Sequence, residues 1–185
     1  IASIVGLAGL KPLIESIKSS SIIALANKEC VVSAGPLIKK LSKENNCKII
    51  PIDSEHNAIF QILDGKSISD VSKIYLTASG GPFYNFSKED LTDITPKQAT
   101  NHPIWKMGKK ISVDSATLMN KGLEIIEAHY LFEIPSEGIE VIIHRQSIIH
   151  GLVLMKNGSL FGHFGKPSML KPIDHALSWP KFIQN

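Results

Sequence analysis

Two carboxylates stand two residues apart where a short apolar run ends, Asp53 and Glu55 in the sequence Pro-Ile-Asp-Ser-Glu-His. In an extended chain, residues i and i+2 point the same way, so both side chains can converge on one point. Neighbouring carboxylates repel each other unless a cation or a proton lies between them, and hard divalent ions such as Mg²⁺ and Mn²⁺ meet that demand. A polar turn in which Asp53 caps the next helix explains the same residues equally well.

A second group lies on a predicted helix. Asn120, Lys121 and Glu124 are three and four residues apart, so an amide, an ammonium group and a carboxylate can reach the same pocket. The commoner alternative is a solvated helix face on which Lys121 and Glu124 form a weak surface pair.

Three further segments carry polar groups at predicted strand ends or in a loop. The glycines of residues 79–82 would let backbone N–H groups approach a phosphate closely, although Gly-Gly-Pro is also a plain turn. His102, Trp105 and Met107 predict either a lid with an aromatic cover or a loop that packs on the core. Residues 27–29 follow another apolar run, with helix capping as the alternative.

The composition limits the class of protein. The chain has 185 residues, is 43% hydrophobic and carries a formal charge of +3, which excludes a disordered or fibrous protein. No apolar run approaches the roughly 18 residues of a membrane-spanning helix, and aromatic residues do not interleave with the lysines. We therefore expect no membrane and no nucleic-acid partner. The two cysteines, Cys30 and Cys47, cannot form a disulfide framework and suit the cytoplasm.

Hydrophobic periodicity predicts an α/β protein. An apolar run, a helix and a second apolar run form a β-α-β unit, and an Asn-Gly pair predicts a later hairpin in which both turn residues need positive φ. Between them a loop of residues 79–107 is long enough to have a function. The predicted helices cover residues 7–18, 31–44 and 115–131, and the predicted strands cover residues 22–26, 48–52, 74–77, 140–144, 152–155 and 159–164.

Five stretches closely resemble 1-deoxy-D-xylulose 5-phosphate reductoisomerases: residues 24–29, 51–61, 79–83, 102–124 and 148–153. The most specific are DSEHNAIFQ and SVDSATLMNKGLE. The resemblance implies rearrangement and NADPH-dependent reduction of 1-deoxy-D-xylulose 5-phosphate to 2-C-methyl-D-erythritol 4-phosphate, in the non-mevalonate isoprenoid pathway. It also implies a divalent metal (Mn²⁺, Mg²⁺ or Co²⁺), a homodimer, and a cytoplasmic or, in a eukaryote, plastid location.

The resemblance also assigns roles to residues. The implied metal ligands are Asp53, Glu55 and Glu124. The implied catalytic residues are Lys28, Glu55, His102 and Trp105, with Trp105 as the cover of a mobile lid. The implied substrate contacts are Lys28, Ser54, Glu55, Ser79, His102, Ser115, Asn120, Lys121 and Glu124, of which Ser79, Ser115, Asn120 and Lys121 surround the phosphate. The implied NADPH contacts are Asn27, Glu29 and Gly108.

The resemblance predicts the tail of a Rossmann-like NADPH-binding domain in residues 1–52. An α+β catalytic domain with a mixed sheet follows in residues 53–178, and residues 179–185 begin a linker to a C-terminal helical domain. The family's G-x-T-G-S-x-G fingerprint is not in the sequence, so we expect further chain before residue 1. Ala78 and Arg145 stand where the family usually has Gly and Pro.

Two other functions remain open at this point. A metal-dependent sugar-phosphate isomerase or aldolase would use the same carboxylates and the same phosphate loop without a nicotinamide cofactor. A noncatalytic homologue would keep the fold as a binding module, although every implied site residue is chemically intact here.

Overall fold

A computed structural model describes residues 1–105 and 107–181. The helices are α1 (Leu10–Ser19), α2 (Lys28–Glu44), α3 (Ser54–Leu63), α4 (Pro96–Ala99), α5 (Lys109–Ala116), α6 (Met119–Phe132) and α7 (Leu170–Ser178). The strands are β1 (Ile22–Leu25), β2 (Lys48–Pro51), β3 (Val71–Ala78), β4 (Ile139–Ile143), β5 (Ile149–Met155) and β6 (Leu160–Phe164). Short 3-10 turns cover Gly6–Gly9, Ile68–Asp70 and Ser136–Gly138.

The predicted β-α-β unit is confirmed. Strands β1 and β2 are parallel, with Ile22 opposite Lys48 and Leu25 opposite Pro51, and α2 connects them. Helix α2 begins at Lys28, three residues earlier than predicted, and it bends at Ala34 (φ −137°, ψ 27°). The bend lies two residues before Pro36, whose ring removes a helical hydrogen bond.

The second sheet is mixed, as predicted, with strand order β4-β3-β5-β6. Strand β3 is parallel to β4 and antiparallel to β5, and β5 and β6 form the predicted hairpin. Only Gly158 of the Asn157-Gly158 pair has positive φ (87°), so the expectation of positive φ at both residues was wrong. Instead, the Asn157 Oδ1 atom accepts a hydrogen bond from Ser159 N at 3.0 Å, which stabilises a different turn.

The helix predicted over residues 115–131 is in fact two helices. Leu118 adopts a left-handed conformation (φ 60°, ψ 6°) between α5 and α6. A left-handed residue ends a helix, but glycine usually fills that position, so the sequence carried no signal for the break. Ser115 therefore belongs to the end of α5, whereas Asn120 belongs to the start of α6.

Three apolar clusters hold the sheets in place, the third of them between the β1-β2 pair and α7. Helices α3 and α6 pack on the mixed sheet around Ile59, Leu76 and Val153, all of which are fully buried. Helices α1 and α2 pack around Leu13 and Ile17 beside the β1-β2 pair. Side chains of α6 contact this second cluster as well. Helix α6 thereby packs against both α2 and β3.

The segment 79–107 contains turns and the short helix α4 but no strand among its described residues, in agreement with a long loop. Lys106, within this segment, lies outside the described residues. Among the described helices, none is both long and apolar enough to cross a membrane.

Candidate active site

A cavity lies where β1, β2 and β3 end and where α2, α3 and α6 begin. The cavity is lined by most of the residues that the sequence singled out. These are Lys28, Asp53, Ser54, Glu55, Ser79, His102, Trp105, Met107, Ser115, Asn120, Lys121 and Glu124.

Lys28 connects two carboxylates on different elements. Its Nζ atom lies 2.5 Å from Asp53 Oδ2 and 3.1 Å from Glu124 Oε1. It also donates a hydrogen bond to Asn120 Oδ1 at 2.7 Å. Asp53 stands at the N-cap position of α3, but its side chain makes no capping hydrogen bond. The capping alternative therefore does not describe Asp53, whose carboxylate is directed to Lys28.

Lys121 connects a second pair of carboxylates. Its Nζ atom lies 2.8 Å from Glu55 Oε1 and 2.5 Å from Glu124 Oε2, and it donates to the carbonyl oxygen of Thr77 at 2.6 Å. Lys121 is 5% exposed and Glu124 is 1% exposed. The polar face of α6 is therefore buried, and the alternative of a solvated face is excluded.

Burial and neighbouring charges shift the pKa values of the two aspartate and glutamate side chains, Asp53 and Glu55, in opposite directions. Burial alone would raise the pKa of Asp53, but the Lys28 ammonium and His56 hold it well below its usual range. Burial and the Glu124 charge raise the pKa of Glu55 to about 7, against the opposing charge of Lys121. Burial opposes the charge of Lys28, yet Asp53 and Glu124 raise its pKa well above the ordinary value.

The donor set fits a divalent cation. Donor atoms of Asp53, His56 and Glu124 all lie within 4.8 Å of one another, and Lys121 holds Glu55 beside Glu124. His56 Nε2 lies 2.9 Å from the backbone oxygen of Glu124, so only Nδ1 of this ring is left for a cation. Carboxylate oxygens are the ligands that Mg²⁺ and Mn²⁺ prefer, so the three carboxylates are the better candidates for ligands.

The other end of the cavity carries hydroxyl groups. His102 Nδ1 accepts hydrogen bonds from the backbone N–H groups of Ile104 (3.1 Å) and Trp105 (2.9 Å). The proton of the neutral ring is therefore on Nε2, which donates to Ser79 Oγ at 2.9 Å. Burial lowers the pKa of His102, and the Arg145 charge lowers it further, so the neutral ring is favoured.

Ser79 keeps a hydrogen to donate. Its Oγ atom accepts from His102 Nε2 and from Gly81 N (3.2 Å), so both acceptor sites of the hydroxyl are used. The hydroxyl hydrogen is left for an acceptor in the cavity. The sequence predicted that the backbone N–H groups of the glycines would bind a phosphate. The Gly81 N–H group does not fit this prediction, because it already donates to Ser79 Oγ.

The two glycines after Ser79 bring this loop close to α5. Gly80 and Gly81 have φ values of 81° and 66°, a region that side chains disfavour. A Cβ atom on Gly81 would lie 2.7 Å from the carbonyl oxygen of Ser115. Glycine is thus required here, and the close approach brings the loop against the end of α5, with Ser79 and Ser115 lining the same cavity. We refer to residues 79–81 as the glycine loop.

The end of the long loop lies over the cavity. The Trp105 ring contacts His150 edge-on, with ring centroids 6.5 Å apart, and both residues line the cavity with Met107. This placement is compatible with an aromatic cover. Closure of a mobile lid stays a prediction.

The three residues expected at NADPH lie beside the cavity and do not line it. The Asn27 side chain caps α2 by accepting from Cys30 N at 2.9 Å, and it donates to the backbone oxygens of Ile4 and Gly6. Glu29 pairs with Lys110, and Gly108 precedes α5 as its N-cap. The capping alternative thus describes the Asn27 side chain.

Sequence reasoning missed a buried pair behind the candidate metal ligands. His56 and Glu127 are 0% and 1% exposed, and His56 Nδ1 lies 3.4 Å from Glu127 Oε2. Burial raises the pKa of Glu127 to about 7, although the His56 charge opposes the shift. The signal was available, because Glu127 follows Glu124 by three residues and shares its helix face.

Comparisons with known proteins are consistent across sequence and structure. The family model described as 1-deoxy-D-xylulose 5-phosphate reductoisomerase C-terminal domain matches residues 49–132, and the model described as 1-deoxy-D-xylulose 5-phosphate reductoisomerase matches residues 1–35. Curated proteins of that name from Clostridium perfringens and Pelodictyon phaeoclathratiforme are each 54% identical, over 97% and 98% of this chain. The chain spans 47% of each, about half the length of the curated relatives that it matches.

Solved structures give the same result. A DOX-P reductoisomerase in complex with NADPH, fosmidomycin and magnesium matches with a TM-score of 0.93 and 44% identity, over 99% of this chain and 47% of that one. The Zymomonas mobilis enzyme in complex with NADPH matches with a TM-score of 0.91 and 46% identity, over 100% of this chain and 47% of that one. These matches confirm the α/β fold.

Proposed function

This chain belongs to the 1-deoxy-D-xylulose 5-phosphate reductoisomerase family, and from that membership we propose that the protein rearranges and reduces 1-deoxy-D-xylulose 5-phosphate to 2-C-methyl-D-erythritol 4-phosphate with NADPH and a divalent metal. The observation that carries the proposal is the buried cluster of three carboxylates and two lysines, placed in one cavity with the hydroxyl-bearing glycine loop.

Asp53, Glu55 and Glu124 would hold the metal, which can be Mn²⁺, Mg²⁺ or Co²⁺. When bound, a divalent metal supplies Lewis acidity to substrate oxygens. The lysines hold the carboxylates close together, since each bridges two of them. Ser54 supports the arrangement, because its Oγ atom donates to Glu55 Oε2 at 2.6 Å.

The glycine loop would bind the substrate phosphate. The Ser79 hydroxyl has a hydrogen left to donate, and Ser115 lines the same cavity. The family resemblance also assigns Asn120 and Lys121 to the phosphate; in this structure both side chains bond to the carboxylate cluster, so they would contact the phosphate from that side of the cavity. Binding energy from a phosphate remote from the reacting carbons orients the rest of the substrate, with Lys28 and His102 as contacts and Trp105 as cover.

NADPH would contact Asn27, Glu29 and Gly108. The support is indirect: residues 27–29 lie at the carboxyl end of β1, where open α/β sheets bind ligands, and related structures contain NADPH. Of these residues, Asn27 would act through its position on the backbone, because its side chain is used for capping and for contacts with residues 4 and 6.

The domain boundaries follow from the same arrangement. We propose that residues 1–52 end an NADPH-binding domain, that residues 53–178 form the catalytic domain, and that a linker begins at residue 179. The separate sheets of residues 1–52 and of the following chain support this division. A cytoplasmic location, or a plastid in a eukaryote, completes the proposal, with neither a membrane nor nucleic acid as partner.

We expect the whole protein to be a homodimer. Strands β4 and β6 are the outer strands of the mixed sheet in the described chain, and apolar side chains on both are exposed. Such faces mark interaction surfaces. Light scattering should give twice the protomer mass for the wild type. The double variant Leu160→Glu, Phe164→Glu should give a lower mass. A monomeric wild-type protein at working concentration would contradict the expectation.

Product analysis in the absence of NADPH separates the proposed function from a metal-dependent sugar-phosphate isomerase or aldolase. With substrate and Mn²⁺ but no NADPH, we expect no net conversion to a stable product, because the reduction step has no hydride donor. With NADPH, mass spectrometry should show a product two hydrogens heavier than the substrate. Full conversion to an isomer or to cleavage products without NADPH would favour the alternative.

A further inference from the structure

Arg145 is the single arginine among the 20 Lys and Arg residues of the chain, and it stands where the family usually has proline. It lies in the turn between β4 and β5, outside the lining of the cavity. The turn itself is well held, because Ser147 N donates to His144 O at 3.1 Å and Ile148 N donates to His144 Nε2 at 3.1 Å.

The Arg145 side chain crosses from this turn to the glycine loop. Its Nη1 atom donates to the carbonyl oxygens of Ser79 and Gly81, both at 2.9 Å. A Cβ atom on Gly80 would lie 3.3 Å from Nη1, so the guanidinium packs directly against the middle of the loop. The central carbon of the guanidinium also lies 4.8 Å from the centre of the Tyr84 ring.

These contacts add to the restraint that the approach of Gly81 to Ser115 gives the loop. Two consecutive glycines at positive φ have no side chains to restrict the backbone. Hydrogen bonds from a charged donor are stronger than neutral ones, and the planar guanidinium also stacks on an aromatic ring, which an ammonium group does less well. Arg145 thus donates hydrogen bonds to both carbonyl groups that flank Gly80, and its guanidinium lies over the ring of Tyr84, which follows the loop.

We propose that Arg145 is a positioning residue that clamps the glycine loop and Tyr84, and so keeps the Ser79 hydroxyl directed into the cavity. The role in substrate binding rests on the proposed function, because it takes the substrate phosphate as the acceptor for Ser79. The clamp itself rests only on the contacts of Arg145, and it can be tested without substrate.

The experiment uses the whole protein with Arg145→Met, which keeps an unbranched apolar stem but removes the guanidinium group, and with it both hydrogen bonds and the charge. Amide hydrogen exchange in peptides that cover residues 79–86 should become at least about tenfold faster, the effect of losing one hydrogen bond to a charged group. Arg145→Lys should give an intermediate rate. The matched control is Lys73→Met, which removes an exposed cation from β3 and should leave this exchange unchanged.

Kinetics separate positioning from a merely structural role. For Arg145→Met we expect the KM for 1-deoxy-D-xylulose 5-phosphate to rise about tenfold, with kcat within about threefold of wild type and with unchanged Mn²⁺ affinity. If amide exchange in residues 79–86 is unchanged in Arg145→Met, the clamp is refuted, whatever the activity of the variant. If exchange is faster but the KM is unchanged, the role of Arg145 in phosphate binding is refuted. A wild-type protein that does not turn over this substrate refutes the proposed function instead, and the exchange rates still decide the clamp.

Discussion

Replacing Glu124 with glutamine is expected to weaken Mn²⁺ binding by more than about 100-fold. Loss of a residue that only hydrogen-bonds to a metal ligand already lowers metal affinity by about 10–100-fold. The reason is the central place of Glu124 in the carboxylate cluster. One oxygen of Glu124 faces Lys28 and Asn120, and the other faces Lys121. Glutamine keeps the shape of the side chain but removes the charge that a divalent cation requires.

Titration calorimetry of the whole protein with Mn²⁺ measures this effect. Glu133→Gln is the matched control, because Glu133 follows the other end of α6 and pairs with the exposed Lys39 and Lys43. The control should bind Mn²⁺ like the wild type. Wild-type affinity in Glu124→Gln would remove Glu124 from the metal site.

Replacing Lys121 with methionine is expected to destabilise the metal-free protein by about 3–5 kcal/mol, the usual cost of removing one partner of a buried ion pair. Without the ammonium group, Glu55 and Glu124 repel each other in a buried site. A bound divalent cation would restore the lost charge balance. The stabilisation that Mn²⁺ gives should therefore be larger in the variant than in the wild type.

Thermal unfolding with EDTA and with Mn²⁺ tests this expectation. Lys18→Met is a suitable control, because Lys18 and Glu15 form an ion pair of the same kind, 2.8 Å apart and three residues apart in sequence, but exposed. It should unfold like the wild type in both conditions. A Lys121→Met protein that is as stable as wild type in EDTA would show that the cluster does not depend on this charge.

Local patterns predicted much of the fold. The β-α-β unit, the mixed sheet and the hairpin each follow from short apolar runs and from turn residues, which act within a few positions in the chain. The break at Leu118 was not predictable in this way, since leucine has no preference for a left-handed conformation.

The sequence predicted which residues form the candidate site, but it did not predict most of the contacts between them. Periodicity identified the polar face of α6, but a polar face looks the same whether it meets water or a polar cavity. Only the fold shows that Lys121 and Glu124 are buried. Similarly, the sequence marked Arg145 as unusual, but its contact with Ser79, 66 residues away in the chain, depends on the pairing of β3 and β4.

The most direct test of the proposed function is NADPH oxidation by the whole protein with 1-deoxy-D-xylulose 5-phosphate and Mn²⁺, followed at the nicotinamide absorbance. We predict oxidation that requires both the substrate and the metal, and that stops when either is left out. Absence of oxidation from a folded protein that binds Mn²⁺ would contradict the account, and would favour a cofactor-independent isomerase or a noncatalytic homologue.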